Sequence, residues 1–121
     1  MSFALARYQT VRVETASPVR VVVDLYRGAI RHLTTAAACG TGNPAVRGHA
    51  LGKAHAIVSE LQATLDRSQA PALCDELDRL YDFVVFRINE ACIQADGGLL
   101  GPAIDVMQTL EGAWSELAER S

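Results

Sequence analysis

The chain has 121 residues, half of them hydrophobic, so we expect one folded domain with a single core and no extensive disorder. Its net charge of −3 argues against a nucleic acid as the main partner. The charge is uneven: residues 1–67 hold eight basic and four acidic residues (+4), and residues 68–121 hold three and ten (−7). No apolar run is long enough for a signal peptide or a membrane span, so we predict a cytosolic protein without membrane insertion.

The first predicted elements are an N-terminal arm and a helix. Residues 1–16 contain one alternating stretch, TVRVET, but no second strand that could pair with it, which predicts an extended arm. Ser17 is a good N-cap and Pro18 suits the first helical position, and the helical pattern that follows predicts a helix over 18–39. Gly28 lies inside this helix, where glycine costs about 0.5–1 kcal/mol relative to alanine. We therefore expect another backbone to approach closely at Gly28.

Three more helices are predicted in the rest of the chain. Asn43 and Pro44 repeat the cap-and-proline signal and begin a helix over 44–66. Pro71 begins a helix over 71–96, whose apolar residues alternate steps of four and three as in a bundle, and Pro102 begins the last helix, over 102–119. Four amphipathic helices joined by short loops predict an all-α fold, an antiparallel up-down four-helix bundle over residues 17–121.

Residues that could carry catalytic or metal chemistry are few. His49 and His55 are six residues apart and His32 is on another helix, so no pair has metal-binding spacing, and we predict no metal and no cofactor. Arg79 and Arg87 of the third helix and Lys53 of the second leave open one alternative, a small all-helical enzyme of the chorismate mutase type, which convergent buried arginines would favour. The three cysteines lack CxxC spacing and are predicted to be reduced, buried thiols.

The sequence contains more apolar residues than one core-facing stripe on each helix can hold. Either two neighbours widen the buried arc of a helix, or a partner, a second copy or the arm covers the surplus. The surplus residues are Val21, Val23, Leu25, Tyr81, Phe83, Val85 and Phe86.

Four stretches resemble the FliS family of flagellin export chaperones. RYQTVRVETASPVRVVVDLYRGAIRHL is similar to the family's Y-x-x-V-x-V-E-T-A-S-P followed by L-Y-D-G-A-I. GKAHAIVSELQATLD, LYDFVVFRINEA and GAWSEL resemble later family segments in the same order, so the resemblance covers nearly the whole chain. It implies a non-enzymatic helical bundle that binds the disordered C-terminal segment of flagellin, prevents premature polymerisation and delivers flagellin to the flagellar type III export gate.

The surplus apolar residues, together with the grooves that the resemblance implies, predict which residues bind these partners, and the free protein is expected to be a monomer. The predicted client-binding residues are Val22, Leu25, Tyr26, Gly28, Ala29, Tyr81, Phe83, Phe86 and Arg87. The residues predicted to anchor the arm and to dock on the export gate are Leu5, Tyr8 and Val11. In this interpretation the arm covers part of the client groove in the free protein, and Gly28 contacts a neighbouring helix, the arm or the client.

Overall fold

The computed structural model describes residues 18–120, which contain helices and no strand. The four α-helices are α1 (Pro18–Cys39), α2 (Pro44–Ala63), α3 (Pro71–Gln94) and α4 (Gly101–Glu119). A 3-10 helix, Gly97–Leu100, leads into α4. The prediction of an all-α protein with four helices is confirmed, whereas the predicted arm, including Leu5, Tyr8 and Val11, lies outside the described residues. None of the described helices is long and apolar enough to cross a membrane.

Prolines mark the helix starts, as predicted, but the Asn43 cap differs from the expectation. The backbone of Asn43 is left-handed, with φ 46° and ψ 60°, and its side chain makes no capping hydrogen bond. Its carbonyl instead accepts a hydrogen bond from the backbone N–H of Arg47 at 2.8 Å, which begins the helical ladder of α2. The guanidinium of Arg47 also donates to the Gly42 carbonyl at 2.6 Å and so fixes the turn before the helix.

Two helices end earlier than predicted, and local hydrogen bonds explain both ends. After α2, the Thr64 hydroxyl donates to the Leu61 carbonyl at 2.6 Å, which satisfies an end carbonyl without further helix. After α3, Ala95 adopts a left-handed conformation with φ 53°, and the N–H of Asp96 donates to the Ala91 carbonyl at 2.9 Å. A left-handed residue with such a bond is a common helix end, although glycine is the usual residue there.

The helices surround one shared core. Helix α1 packs on α2 and α4, and α3 also packs on α2 and α4, so the four helices follow one another around the core in chain order. Burying one large apolar side chain contributes about 1.5–3 kcal/mol, so this core supplies most of the stabilising free energy. Its largest fully buried members are Tyr26, Leu33, Val58, Leu61, Tyr81, Val84, Leu100 and Met107.

The centre of the core contains a polar contact between two aromatic side chains. The hydroxyl groups of Tyr26 and Tyr81 form a short hydrogen bond between α1 and α3. The ring of Trp114 stacks on Tyr26, with centroids 6.5 Å apart and an interplanar angle of 28°. Burial raises the pKa of both tyrosines, so both hydroxyl groups stay protonated at neutral pH. Within the described part of the chain, every fully buried side-chain nitrogen and oxygen has a hydrogen-bond partner.

The close backbone contact expected at Gly28 occurs at another glycine. A Cβ added to Gly28 would lie 3.3 Å from Cδ1 of Ile57 on α2, so its close neighbour among the described residues is a side chain. A Cβ added to Gly97 would lie 1.9 Å from the carbonyl oxygen of Ala36. The N–H of Gly97 also donates to the Gly40 carbonyl at 2.8 Å. The turn before α4 is therefore the place where two backbones meet.

Candidate functional site

Large hydrophobic side chains are exposed mainly on α3. Residues 18–120 contain six exposed large hydrophobic side chains, and four of them belong to this helix. Phe83, Phe86 and Ile93 form what we call the α3 stripe, because their spacings of three and seven residues place them on one side of the helix. Phe86 is 58% exposed and Ile93 is 82% exposed. A contiguous group of exposed apolar side chains often marks an interaction surface.

A shallow groove lies between α3 and α4, beside the α3 stripe. It has a volume of about 240 Å³ and is lined by Leu80 of α3 and by Asp105, Val106, Thr109 and Leu110 of α4. The three aliphatic side chains are half-buried and give this α3–α4 groove an apolar floor. Phe83 is three residues from Leu80 and is therefore its neighbour on the helix surface, so the groove and the stripe are continuous.

A second cavity, of about 170 Å³, lies near the start of α3, and we call it the end cavity. Leu73 lines this cavity and is 52% exposed. Leu73 and Leu80 are seven residues apart and therefore lie on the same side of α3, so the end cavity and the α3–α4 groove border one side of this helix. The other lining residues are Val22, Leu61, Thr64, Leu65, Asp66, Cys74, Leu77, Tyr81 and Trp114.

The structure divides the predicted client-binding residues between the surface and the interior. Phe83 and Phe86 are exposed, in agreement with a role in docking, and Leu25 is half-buried. Gly28 is buried against Ile57. The other apolar members of the set belong to the core, where they hold the helices together: Val22, Tyr26, Ala29 and Tyr81.

The remaining predicted client-binding residue, Arg87, fixes the turn before α4. Its Nε and Nη2 donate to the Leu99 carbonyl at 3.1 and 2.8 Å, and its Nη1 lies 3.3 Å from Oε1 of Glu90. Arg79, on the same helix, is exposed. The buried Arg47 donates to the Gly42 carbonyl, so Arg47, Arg79 and Arg87 do not converge on one site within the described residues.

The cysteines differ from the prediction that all three are buried. Cys74 is buried and Cys39 is half-buried, whereas Cys92 is exposed near the end of α3. The prediction is wrong for Cys92, because this position follows the buried Ala91 on the helix and faces solvent beside Ile93. All three are free thiols in the structure.

Basic residues are present on both helices where α1 packs on α2. His32 of α1 follows Arg31 and interacts electrostatically with His49 and Lys53 of α2, and we call these four residues the basic seam. His32 is half-buried and the other three are exposed. Burial lowers the pKa of His32, and the positive charges of Arg31, His49 and Lys53 lower it further. Residues 18–120 contain no group of three or more side chains that could hold a metal ion.

The lowered pKa of His32 predicts a contribution to the pH dependence of stability. The unfolded chain, with an ordinary histidine pKa, takes up this proton at higher pH than the folded protein does, so acidification favours unfolding. The stability that comes from keeping His32 neutral is present above about pH 6.5, and it is lost as the pH falls through the pKa of His32 in the folded protein. We expect His32→Gln to lose less stability than the parent between about pH 7.5 and 5.5, measured by urea unfolding. His55→Gln, outside the seam, is the control, and an equal loss in both variants would contradict the prediction.

The sequence interpretation missed part of the apolar surface. Ile93 is the most exposed large hydrophobic residue described, yet it was not among the predicted surplus residues. Its spacing of seven from Phe86 was the signal that could have identified it. Val106 and Leu110, on the α4 side of the groove, could not be identified without knowing which helix packs beside α3.

Comparison with known proteins identifies the family to which this chain is similar. The model of the family described as flagellar protein FliS matches residues 1–121. The chain is 34% identical to the flagellar secretion chaperone FliS of Vibrio cholerae, over 97% of this chain and 90% of that protein. It is 28% identical to the flagellar secretion chaperone FliSB of Pseudomonas aeruginosa, over 95% of each chain. FliS proteins are chaperones, so the chorismate mutase alternative has no support. With the whole of its length matched, this chain belongs to the FliS family of flagellar secretion chaperones.

Proposed function

We propose that the protein binds the C-terminal segment of flagellin, keeps flagellin from polymerising prematurely and delivers it to the flagellar type III export gate. The binding surface is the α3–α4 groove together with the α3 stripe. The protein acts in the cytosol as a monomer with an antiparallel up-down bundle, and it needs no cofactor. The named relatives support a role in flagellar secretion. The choice of client rests on the family resemblance and on the surface chemistry.

One observation carries the proposal: the exposed large hydrophobic residues are concentrated on α3, beside a groove with an apolar floor. An amphipathic helix that places its apolar face in this groove would bury these side chains. A client segment that is disordered alone must offset its ordering entropy on binding, and buried apolar area is the main source of the free energy required.

Fluorescence anisotropy with a labelled peptide from the C-terminus of the same organism's flagellin tests the proposal. We expect Phe86→Ser to weaken binding about tenfold, because Phe86 is more than half exposed in the free protein and becomes buried under the peptide. Val46→Ser is the matched control, since Val46 is 51% exposed but lies on α2. Affinity should depend weakly on salt, because screening acts on charges and not on apolar contacts.

Two results would contradict this assignment. Equal affinities of Phe86→Ser and Val46→Ser would show that the α3 stripe is not the binding surface. Loss of binding at moderate salt in the parent protein would show that charge, and not apolar burial, holds the peptide.

The second part of the proposal concerns the N-terminal arm. Residues 1–16 cover part of the client surface in the free protein, and flagellin displaces them, which frees Leu5, Tyr8 and Val11 for the export gate. In the same assay, a chain without residues 2–10 is expected to bind the peptide as tightly as the parent or more tightly. Weaker binding by a folded truncated chain would show that the arm contributes to the client site.

A further inference from the structure

The basic seam is placed by the packing of α1 on α2. Gly28 lies against Ile57, as the position of a Cβ at Gly28 shows. One turn further along α1, His32 lies close enough to Lys53, one turn earlier on α2, for their charges to interact. The backbone positions of the seam residues are therefore set by two packed helices and not by a loop.

The positive charges of the seam have no acidic partner among the described residues. Arg27 pairs with Glu111, Arg67 with two aspartates and Arg87 with Glu90, and none of these ion pairs includes Arg31 or Lys53. Arg31 and Lys53 are therefore two exposed cations on adjacent helices whose charges no described carboxylate neutralises. An anionic group supplied from outside would gain a charged partner on each helix.

The seam also lies away from the α3–α4 groove. Because the helices surround the core in chain order, the α1–α2 and α3–α4 contacts are on opposite sides of the bundle. Gly48 and Gly52 leave open space on the surface of α2 beside His49 and Lys53, since a Cβ at either position would meet no atom beyond the adjoining helix within 4 Å. A second chain can therefore approach the backbone of α2 closely without touching the groove.

We propose that the basic seam is a second docking surface, which binds an acidic peptide segment of a partner protein. A segment with carboxylates on one side matches two exposed cations on adjacent helices, Arg31 and Lys53, with His49 beside them. A nucleic acid fits less well, because the two cations Arg31 and Lys53 on a protein with net charge −3 give little attraction for a long polyanion.

A second copy of this chain is a poorer match than a separate acidic segment. Three aspartates of α3 already have partners within the protein. Asp75 and Asp78 bind Arg67, and Gln62 donates to Asp78 and Asp82. Docking these carboxylates on the seam of another copy would require breaking those bonds.

The experiment uses the full chain and a labelled peptide of alternating glutamate and alanine, with the glutamine version of the same peptide as the uncharged comparison. At low salt we expect the parent protein to prefer the glutamate peptide. The double variant Arg31→Gln/Lys53→Gln should weaken that binding at least about fivefold. The control, Arg79→Gln/Arg120→Gln, removes the same net charge from exposed positions on α3 and beyond α4 and should change affinity less than about twofold.

Three outcomes would overturn the proposal. The parent could bind the two peptides equally, or the two double variants could lose affinity equally, which would reveal only an effect of net charge. In sedimentation of the protein alone, a concentration-dependent mass that Arg31→Gln/Lys53→Gln abolishes would identify a second copy as the occupant. Binding of the flagellin peptide is measured on the same samples, so that failure at the seam is distinguished from failure at the α3–α4 groove.

Discussion

Replacing Gly97 by alanine is expected to destabilise the protein by about 3 kcal/mol or more, because the new methyl group has no space. Its Cβ would lie 1.9 Å from the Ala36 oxygen and 2.7 Å from the Ala36 carbonyl carbon, and both atoms belong to the backbone of α1. A helix backbone cannot rotate away as a side chain can. The turn before α4 must therefore move, and this would break the hydrogen bond from Gly97 to Gly40.

Urea unfolding and a thermal scan measure this effect, and we expect the melting temperature to fall by roughly 10–15 °C. Gly112→Ala is the control. Gly112 lies within α4, is exposed and would place its Cβ more than 4 Å from every group outside the adjoining helix backbone, so alanine should stabilise the helix by up to about 1 kcal/mol. A Gly97→Ala protein as stable as the parent would show that the turn does not press against α1.

The tyrosine pair in the core gives the second prediction, which concerns coupling between two residues. Tyr26→Phe leaves the buried Tyr81 hydroxyl without its partner, and Tyr81→Phe does the same to Tyr26. Each single substitution is expected to cost about 1–3 kcal/mol, the typical cost of an unsatisfied buried polar group. The double variant removes both hydroxyl groups and keeps both rings, so it should cost much less than the sum of the two.

A double-mutant cycle of unfolding free energies measures this coupling, which we expect to be about 1–2 kcal/mol. All four proteins keep their aromatic rings, so the cycle reports on the hydroxyl groups and not on core volume. Strictly additive losses would show that the two hydroxyl groups do not stabilise each other in the folded protein.

Local signals in the sequence predicted the fold well where one residue controls the backbone. Pro18, Pro44 and Pro71 begin the helices at the predicted positions, because proline fits the first turn and fits poorly further inside. The end of α3 was predicted less well. It depends on Ala95 adopting a left-handed conformation, which alanine rarely does, and no residue type at that position indicates it.

The docking surface was only partly predictable for a different physical reason. Periodicity identifies the residues that share a side of one helix, and it identified Phe83 and Phe86 as surplus. It cannot tell which side faces a neighbouring helix. Tyr26 and Tyr81 were therefore assigned to the client although they meet in the core, and the α4 side of the groove was not assigned at all.

The position of Trp114 provides an optical signal within the protein. It is the chain's one tryptophan, so its emission can be recorded without interference from another indole. Its ring stacks on Tyr26 and also lines the end cavity. Indole emission responds to the polarity around the ring, so a molecule that enters the end cavity should shift the spectrum, whereas one confined to the basic seam should leave it unchanged. Unlabelled protein can therefore report whether the end cavity is occupied.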